Sequence, residues 1–282
     1  MVLDMLINPI DAEKRPWQMF FLGILFSSLA IILSFIVFSK HSSLVMVFLT
    51  VLASFPIVYN TIKLEEYKDE QGKPESFLLK EHAKALEVFM FLFVGILVSC
   101  TIWFVFLPAD SAANIFNVQV DTISNINSAT VGNVVSDSPF TTILTNNLRV
   151  LSICILFSFL YGVGALFILT WNATVIAAAI GTFVRENLAT ISSNLGSISA
   201  AKYFHAFSLG MLRYMTHGVF EIMAYFIAAL AGGIISVAVI RHVFGSNKFE
   251  RIVFDVSELL IISVALLVVS ALIEVFVTPM LF

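Results

Sequence analysis

Charged residues and cysteines are both scarce in this chain of 282 residues. Only 12% of the residues are charged, about half the roughly one quarter found in soluble domains, which excludes an ordinary water-exposed surface. The two cysteines, Cys100 and Cys154, each lie inside an apolar run, so a disulfide framework is excluded and both are expected to pack as small hydrophobes. With 59% hydrophobic residues and a mean hydropathy of +0.98, the composition indicates an integral membrane protein.

Short motifs of several enzyme classes are absent as well. The chain contains no His-Glu-x-x-His pair, no Gly-x-Ser-x-Gly elbow and no Gly-x-x-x-x-Gly-Lys-Ser/Thr phosphate loop. We therefore expect neither ATP-driven chemistry nor a bound cofactor, and we assign no catalytic residue and no metal site. The net charge of -4 argues against nucleic acid as a partner.

Long apolar runs predict the helices that cross the membrane. Most of them approach the roughly 20 residues that an α-helix needs to cross the hydrocarbon core, and they lack the alternating pattern of a membrane β-barrel. We expect an all-α polytopic bundle with about six spanning helices, plus short broken or re-entrant helices. The runs are Trp17 to Phe38, Leu44 to Tyr59, Leu86 to Leu107, Leu148 to Leu169, Val219 to Ile240 and Leu259 to Val277.

Basic residues are distributed unevenly, which predicts the orientation. Lys14 and Arg15 precede the first run and several lysines follow the second, whereas no Lys or Arg occurs from Ala85 through Leu148. By the positive-inside rule, the N-terminus is cytoplasmic and the C-terminus extracytoplasmic in the cell membrane. We expect three parts: a three-helix module at 1–107 with a solvated cytoplasmic hairpin at 60–85, an extracytoplasmic loop at 108–140, and a membrane core at 141–282. Three histidines near the predicted membrane boundaries are also expected to be solvated: His41, His82 and His242.

Residues 172–216 are the hardest stretch to place. The segment from Ala173 to Val184 is short for an ordinary crossing, and a serine-rich polar segment follows it. Because Arg241 is expected on the cytoplasmic side, the chain must first return to the outer side. It does so either by a short span or by broken half-helices.

His217 and Glu221 lie one helical turn apart inside apolar sequence, where ionisable groups are costly. On a helix, Glu221 shares its face with small residues that let another helix approach closely. We predict that this ladder, Ala224, Ala228 and Gly232, packs against a second one, Ala173, Ala177 and Gly181. Further polar residues predicted to reach the same network are Asn146, Asn147, Arg149, Asn172 and Glu274.

Three interpretations of this polar network stay open. In the first, Arg149, Glu221 and Glu274 join His217 in a hydrogen-bonded network that fixes helix packing. In the second, the network handles protons or ions, because histidine titrates near neutrality. In the third it binds a metal, which would need a further ligand such as His205.

Several of these motifs resemble the membrane core of the stage II sporulation protein M family. The resemblance covers residues 141–241, although Ala173 stands where the family usually has glycine. Its motifs are Thr141 to Arg149 (TTILTNNLR), Tyr161-Gly162-Val163-Gly164, Asn172, His217-Gly218-Val219-Phe220-Glu221-Ile222 and Ala231-Gly232-Gly233.

The resemblance implies a multi-pass membrane protein. One branch of the family acts in a complex that drives septal wall remodelling during spore engulfment, while many members belong to organisms that make no spores. We therefore expect a scaffold or assembly subunit of a membrane complex, with the lipid bilayer and membrane or envelope proteins as partners and a homo-oligomer as a further option. A secondary transporter or channel with an intramembrane His/Glu site is the alternative.

Overall fold

The computed structural model describes residues 8–71, 75–132, 138–158, 164–195, 199–240 and 246–281. This part of the chain is helical throughout its regular elements and contains no strand. The helices are α1 Pro9–Lys14, α2 Trp17–Val37, α3 Ser42–Glu70, α4 Glu75–Phe106, α5 Ala109–Ile115, α6 Asn117–Gly132, α7 Pro139–Ser158, α8 Gly164–Leu195, α9 Ala200–Ile240, α10 Asn247–Leu272 and α11 Thr278–Leu281. A π-helical turn, Ile273–Val277, joins α10 to α11, and we call these three elements together the last helix.

Within the described residues, seven helices are long and apolar enough to cross a membrane. They are α2, α3, α4, α7, α8, α9 and the last helix, which confirms the predicted all-α polytopic bundle. The run expected at 148–169 belongs to two of them, because α7 ends at Ser158 and α8 begins at Gly164. This division adds a crossing to the roughly six that the apolar runs indicate.

The described residues of the stretch at 172–216 lie almost entirely in two long helices, and neither a short span nor broken half-helices are found among them. Helix α8 continues to Leu195, and α9 begins at Ala200. With 41 residues, α9 is about 60 Å long, roughly twice the thickness of the hydrocarbon core. It is the central helix, since 83% of its most apolar stretch is buried.

Helices α2 and α4 cross at two glycines. A Cβ atom added to Gly95 would overlap the carbonyl oxygen of Phe20, and one added to Gly23 would overlap that of Leu92. Both obstacles are backbone atoms of the facing helix. The crossing therefore requires the missing side chains, as in other close contacts between membrane helices.

Helices α5 and α6, which belong to the segment at 108–140, are folded against one end of the bundle, which we call the loop end. Phe116 is fully buried, and its ring meets the ring of Phe104 edge-on at 5.2 Å between centroids. Gln119 is also fully buried; it accepts a hydrogen bond from Ser43 at 2.6 Å and donates one to Thr174 at 3.2 Å. A polar side chain thus ties α6 to both α3 and α8.

The opposite end, which we call the hairpin end, carries a group of buried charged side chains. Most of them lie within the hairpin that we expected to be solvated at 60–85, whereas Lys63, Lys80 and Lys84 of that hairpin are exposed as expected. Lys68 Nζ lies 2.6 Å from Glu65 Oε1, 2.8 Å from Glu13 Oε2 and 3.0 Å from Glu81 Oε2. The other oxygen of Glu65 lies 2.8 Å from His82 Nδ1. We call these five residues the charge cluster.

The expectation of a solvated His82 is wrong, because this side chain is only 2% exposed. Helices α1, α3 and α4 each contribute an acid or a base to the charge cluster, so the charges are taken out of water by packing against one another. Burial raises the pKa of Glu13 to about 7, although its hydrogen bond with Lys68 opposes this shift. His41 is exposed as expected, and His242 lies outside the described residues.

Candidate functional site

Polar side chains of α7 and α9 meet at Glu221. The hydroxyl of Tyr225, one turn further along α9, donates a hydrogen bond to Glu221 Oε1 at 2.8 Å. Asn147 of α7 lies beside the same carboxyl group and is 4% exposed. Its Nδ2 atom meets no acceptor at hydrogen-bonding geometry within the part of the chain that the structure describes. Glu221 therefore has one strong donor and one amide held close to it.

The last helix contacts His217 of α9 and brings Glu274 to this place. The Ser270 hydroxyl donates to the backbone oxygen of His217 at 3.0 Å, and Thr278 Oγ1 lies 3.3 Å from His217 Nδ1. The π turn presents Glu274, whose charge acts on that of Glu221. Single π turns inside α-helices are rare and are frequent at functional sites.

Glu221 and Glu274, which we call the carboxyl pair, have no counter-charge among the described residues. The ion pairs found there involve the charge cluster and Lys84. Two uncompensated carboxylates at membrane depth would be costly. A proton, a cation or a basic group that lies outside the described residues of this chain would balance the carboxyl pair.

The structure brings four of the predicted polar residues together and separates three from them. Asn147, His217, Glu221 and Glu274 form the site just described. Asn146 and Arg149 are exposed. The amide of Asn172 donates to the Ile168 oxygen of its own helix at 2.8 Å.

The third ligand proposed for a metal does not reach the site. His205 lies 12 residues before His217 on α9, which is about 18 Å along the helix axis. Across the described ranges, no group of three or more His, Cys, Asp or Glu residues is arranged to hold a metal ion.

All six residues of the two predicted ladders are buried, but their glycines pack on other helices than we predicted. Gly181 of α8 faces the Phe104 side chain of α4, and Gly232 of α9 faces Ser158 of α7. The glycines therefore allow close contact with a neighbouring helix, as expected, although those of α8 and α9 do not face each other. The fully buried alanines are Ala173, Ala177, Ala224 and Ala228.

Sequence reasoning missed Tyr225 and Thr278. Tyr225 follows Glu221 by four residues and so lies on the same helix face, a signal that was available from spacing alone. Thr278 contacts His217 from the last helix, across 61 positions of the chain. No local pattern indicates that contact or the π turn beside it.

Comparisons with known proteins agree with this architecture. A family model described as Stage II sporulation protein M matches residues 44–279, which include every residue of the site. An uncharacterized protein of Methanocaldococcus jannaschii is 27% identical over 169 residues, covering 57% of this chain and 84% of its own length. No solved structure matches the chain.

Proposed function

This chain belongs to the Stage II sporulation protein M family, and we propose that it acts as a scaffold or assembly subunit of a membrane complex. The family and the seven span-length helices establish a multi-pass membrane protein. The relative from Methanocaldococcus jannaschii is uncharacterized and adds no reaction or substrate. The proposal is carried by a polar face on α7.

Helix α7 is held in the bundle by one narrow stripe and exposes the opposite face. The stripe is buried and comprises Asn147, Leu151, Cys154 and Ser158. The opposite face is exposed and includes Thr145, Asn146, Arg149 and Ser152. Only 17% of the apolar stretch of α7 is buried, against 83% for α9.

Arg149 is the costly member of this face, because it is a charged side chain exposed on a helix of span length, where charged groups are rare and are usually paired. Ser152 is less costly, since its hydroxyl donates to Leu148 O of the same helix at 2.8 Å. A neighbouring protein helix with polar groups would offset the cost of Arg149 and Asn146. The exposed polar face thus supports a protein contact within the membrane.

We place the hairpin end in the cytoplasm and the loop end and C-terminus outside. Eight of the 13 Lys and Arg residues that the structure describes lie in or beside the segments at the hairpin end, which the positive-inside rule assigns to the cytoplasm. These eight are Lys14, Arg15, Lys63, Lys68, Lys80, Lys84, Lys248 and Arg251. Membrane or envelope proteins are then the partners that the exposed face of α7 would meet.

Site-specific photo-crosslinking in intact membranes tests the proposal. A photoreactive residue at Asn146 is expected to form an adduct with protein. The same residue at Leu33, half-exposed on the apolar face of α2, serves as the control and is expected to react with lipid only. Lipid adducts alone at both positions would show that α7 has no protein neighbour.

A second function, ion or proton translocation, is favoured by one observation, the uncompensated carboxyl pair. It predicts that proteoliposomes show a flux of protons or Na⁺ and that this flux is lost in both Glu221→Gln and Glu274→Gln. The scaffold proposal predicts a lower folded yield for Glu221→Gln and no such flux in any variant. Measuring both quantities on the same preparations separates the two functions.

A further inference from the structure

We infer that two copies of this chain associate in the membrane through α7 and the last helix, with Arg149 of each copy facing Glu274 of the other. This inference rests on the proposed scaffold function, for which it names a first partner.

Arg149 and Glu274 carry complementary charges that the described residues of their own chain leave unbalanced. Arg149 is exposed and forms no ion pair among the described residues. Glu274 is half-buried, and the charge acting on it is that of another acid, Glu221. Each group therefore lacks what the other could supply.

Helix geometry keeps Arg149 away from the carboxyl pair of its own chain. Asn147 lies beside Glu221, and two further residues along α7 turn the helix by about 200°. Arg149 accordingly points out of the bundle while Asn147 points in, as their exposure shows. An arginine from a second copy can approach Glu274 from outside without any change to this packing.

The two charges also lie at similar depth. Arg149 is two residues, or about 3 Å, along α7 from Asn147, which lies beside Glu221. Glu274 lies between Ser270 and Thr278, which both contact His217, one turn before Glu221. A two-fold axis along the membrane normal preserves depth, so residues at one level in one copy meet that level in the other. Such an interface would repeat the Arg149–Glu274 pair twice.

The surfaces that would meet, on α7 and the last helix, are adjacent and are little buried within one chain. Helix α7 contacts α10, and both pack on α9. Only 22% of the apolar stretch of the last helix is buried, close to the 17% for α7.

Charge reversal in reconstituted full-length protein tests the pairing. Donor- and acceptor-labelled copies in lipid vesicles would report association by energy transfer. We expect association of the wild type, and at least about tenfold weaker association of R149E alone and of E274R alone, because each variant places like charges together. A mixture of R149E with E274R is expected to regain association, since every mixed dimer contains one native pair and one reversed pair.

The control is R213E, which reverses a different exposed arginine whose guanidinium lies over the Phe183 ring at 5.5 Å. Its association is expected to equal that of the wild type. If a reversed variant fails to fold, R149Q and E274Q replace the reversals. A mixture of these two retains one native pair per dimer and is expected to associate with intermediate strength, while each alone is weak.

Several results would overturn the inference. One is a monomeric wild type, and another is wild-type association in R149E. A third is an R149E/E274R double variant that associates while the mixture of single variants does not, which indicates pairing within one chain. A monomeric wild type with a different protein crosslinked at Asn146 would refute self-association and leave the scaffold function standing. Lipid adducts alone would refute both.

Discussion

Replacing Gly95 with alanine is expected to destabilise the bundle by about 2 kcal/mol. The added Cβ would overlap the carbonyl oxygen of Phe20 on the facing helix. Because that atom belongs to the backbone, no side-chain rotation relieves the overlap, and α2 and α4 must move apart along their crossing. Overpacking of this kind costs roughly 1–3 kcal/mol, and the backbone obstacle favours the upper end. The better helix propensity of alanine returns about 1 kcal/mol.

Gly218→Ala is the matched control, since it makes the same chemical change inside another helix. A Cβ on Gly218 would meet only Met215 Cε, at an ordinary contact distance of 3.5 Å. This variant should be neutral or more stable by up to about 1 kcal/mol. The two variants are thus expected to differ in stability by about 2–3 kcal/mol, which is roughly 30- to 150-fold in the unfolding equilibrium.

Reversible unfolding in mixed micelles with increasing SDS measures these free energies directly, with helix content as the signal. Equal stability of Gly95→Ala and the wild type would refute the close crossing of α2 and α4. A loss in Gly218→Ala as large as that in Gly95→Ala would instead mean that the penalty does not come from contact with Phe20.

Three further predictions concern the two ends of the bundle. Gln119→Ala should lower the free energy of unfolding by about 1–3 kcal/mol in the same assay, because it leaves the buried hydroxyl of Thr174 without its donor. It should also speed proteolysis within 108–140. Unchanged cleavage would contradict the role of Gln119 in holding α6 on the bundle. Lys68→Met removes the cation that three acids share, so a loss of about 3–5 kcal/mol is expected, and a variant as stable as the wild type would contradict the charge cluster. Burial raises the pKa of Glu13 from its ordinary 4.5 to about 7, so the folded state holds this proton more tightly than the unfolded chain. The stabilisation that this proton provides is complete below about pH 4.5 and is lost as pH rises through about 7. The melting temperature of Glu13→Gln should therefore not fall over this pH range as that of the wild type does. An equal fall in the variant would assign the pH dependence to another group.

Local sequence patterns were sufficient for the parts of the site that lie on one helix. Composition alone indicated a membrane protein, because too few charges exist for a water-exposed surface. The helical period placed Ala224, Ala228 and Gly232 on the face of Glu221, and all three are buried. Each of these inferences uses residues within a few turns of one another.

Contacts between distant segments could not be derived in this way. The acids at 60–85 look like a solvated hairpin because acidic and basic residues alternate there. Glu65 is nevertheless buried, and its partner Lys68 also binds Glu13, which lies 55 positions earlier in the chain. Likewise, Arg149 and Glu221 are natural partners by charge, yet they are separated because the stripe that α7 buries begins with Asn147 and faces the other way.

The sequence by itself therefore determined the membrane setting, the helical class and the polar and small faces of α9, because hydropathy and helical period are local properties of the chain. Only the tertiary structure decided that His217 meets Thr278, that Glu274 stands in a π turn beside Glu221, and that Arg149 points out of the bundle. These features depend on which helices lie side by side, and packing of the whole chain determines that choice.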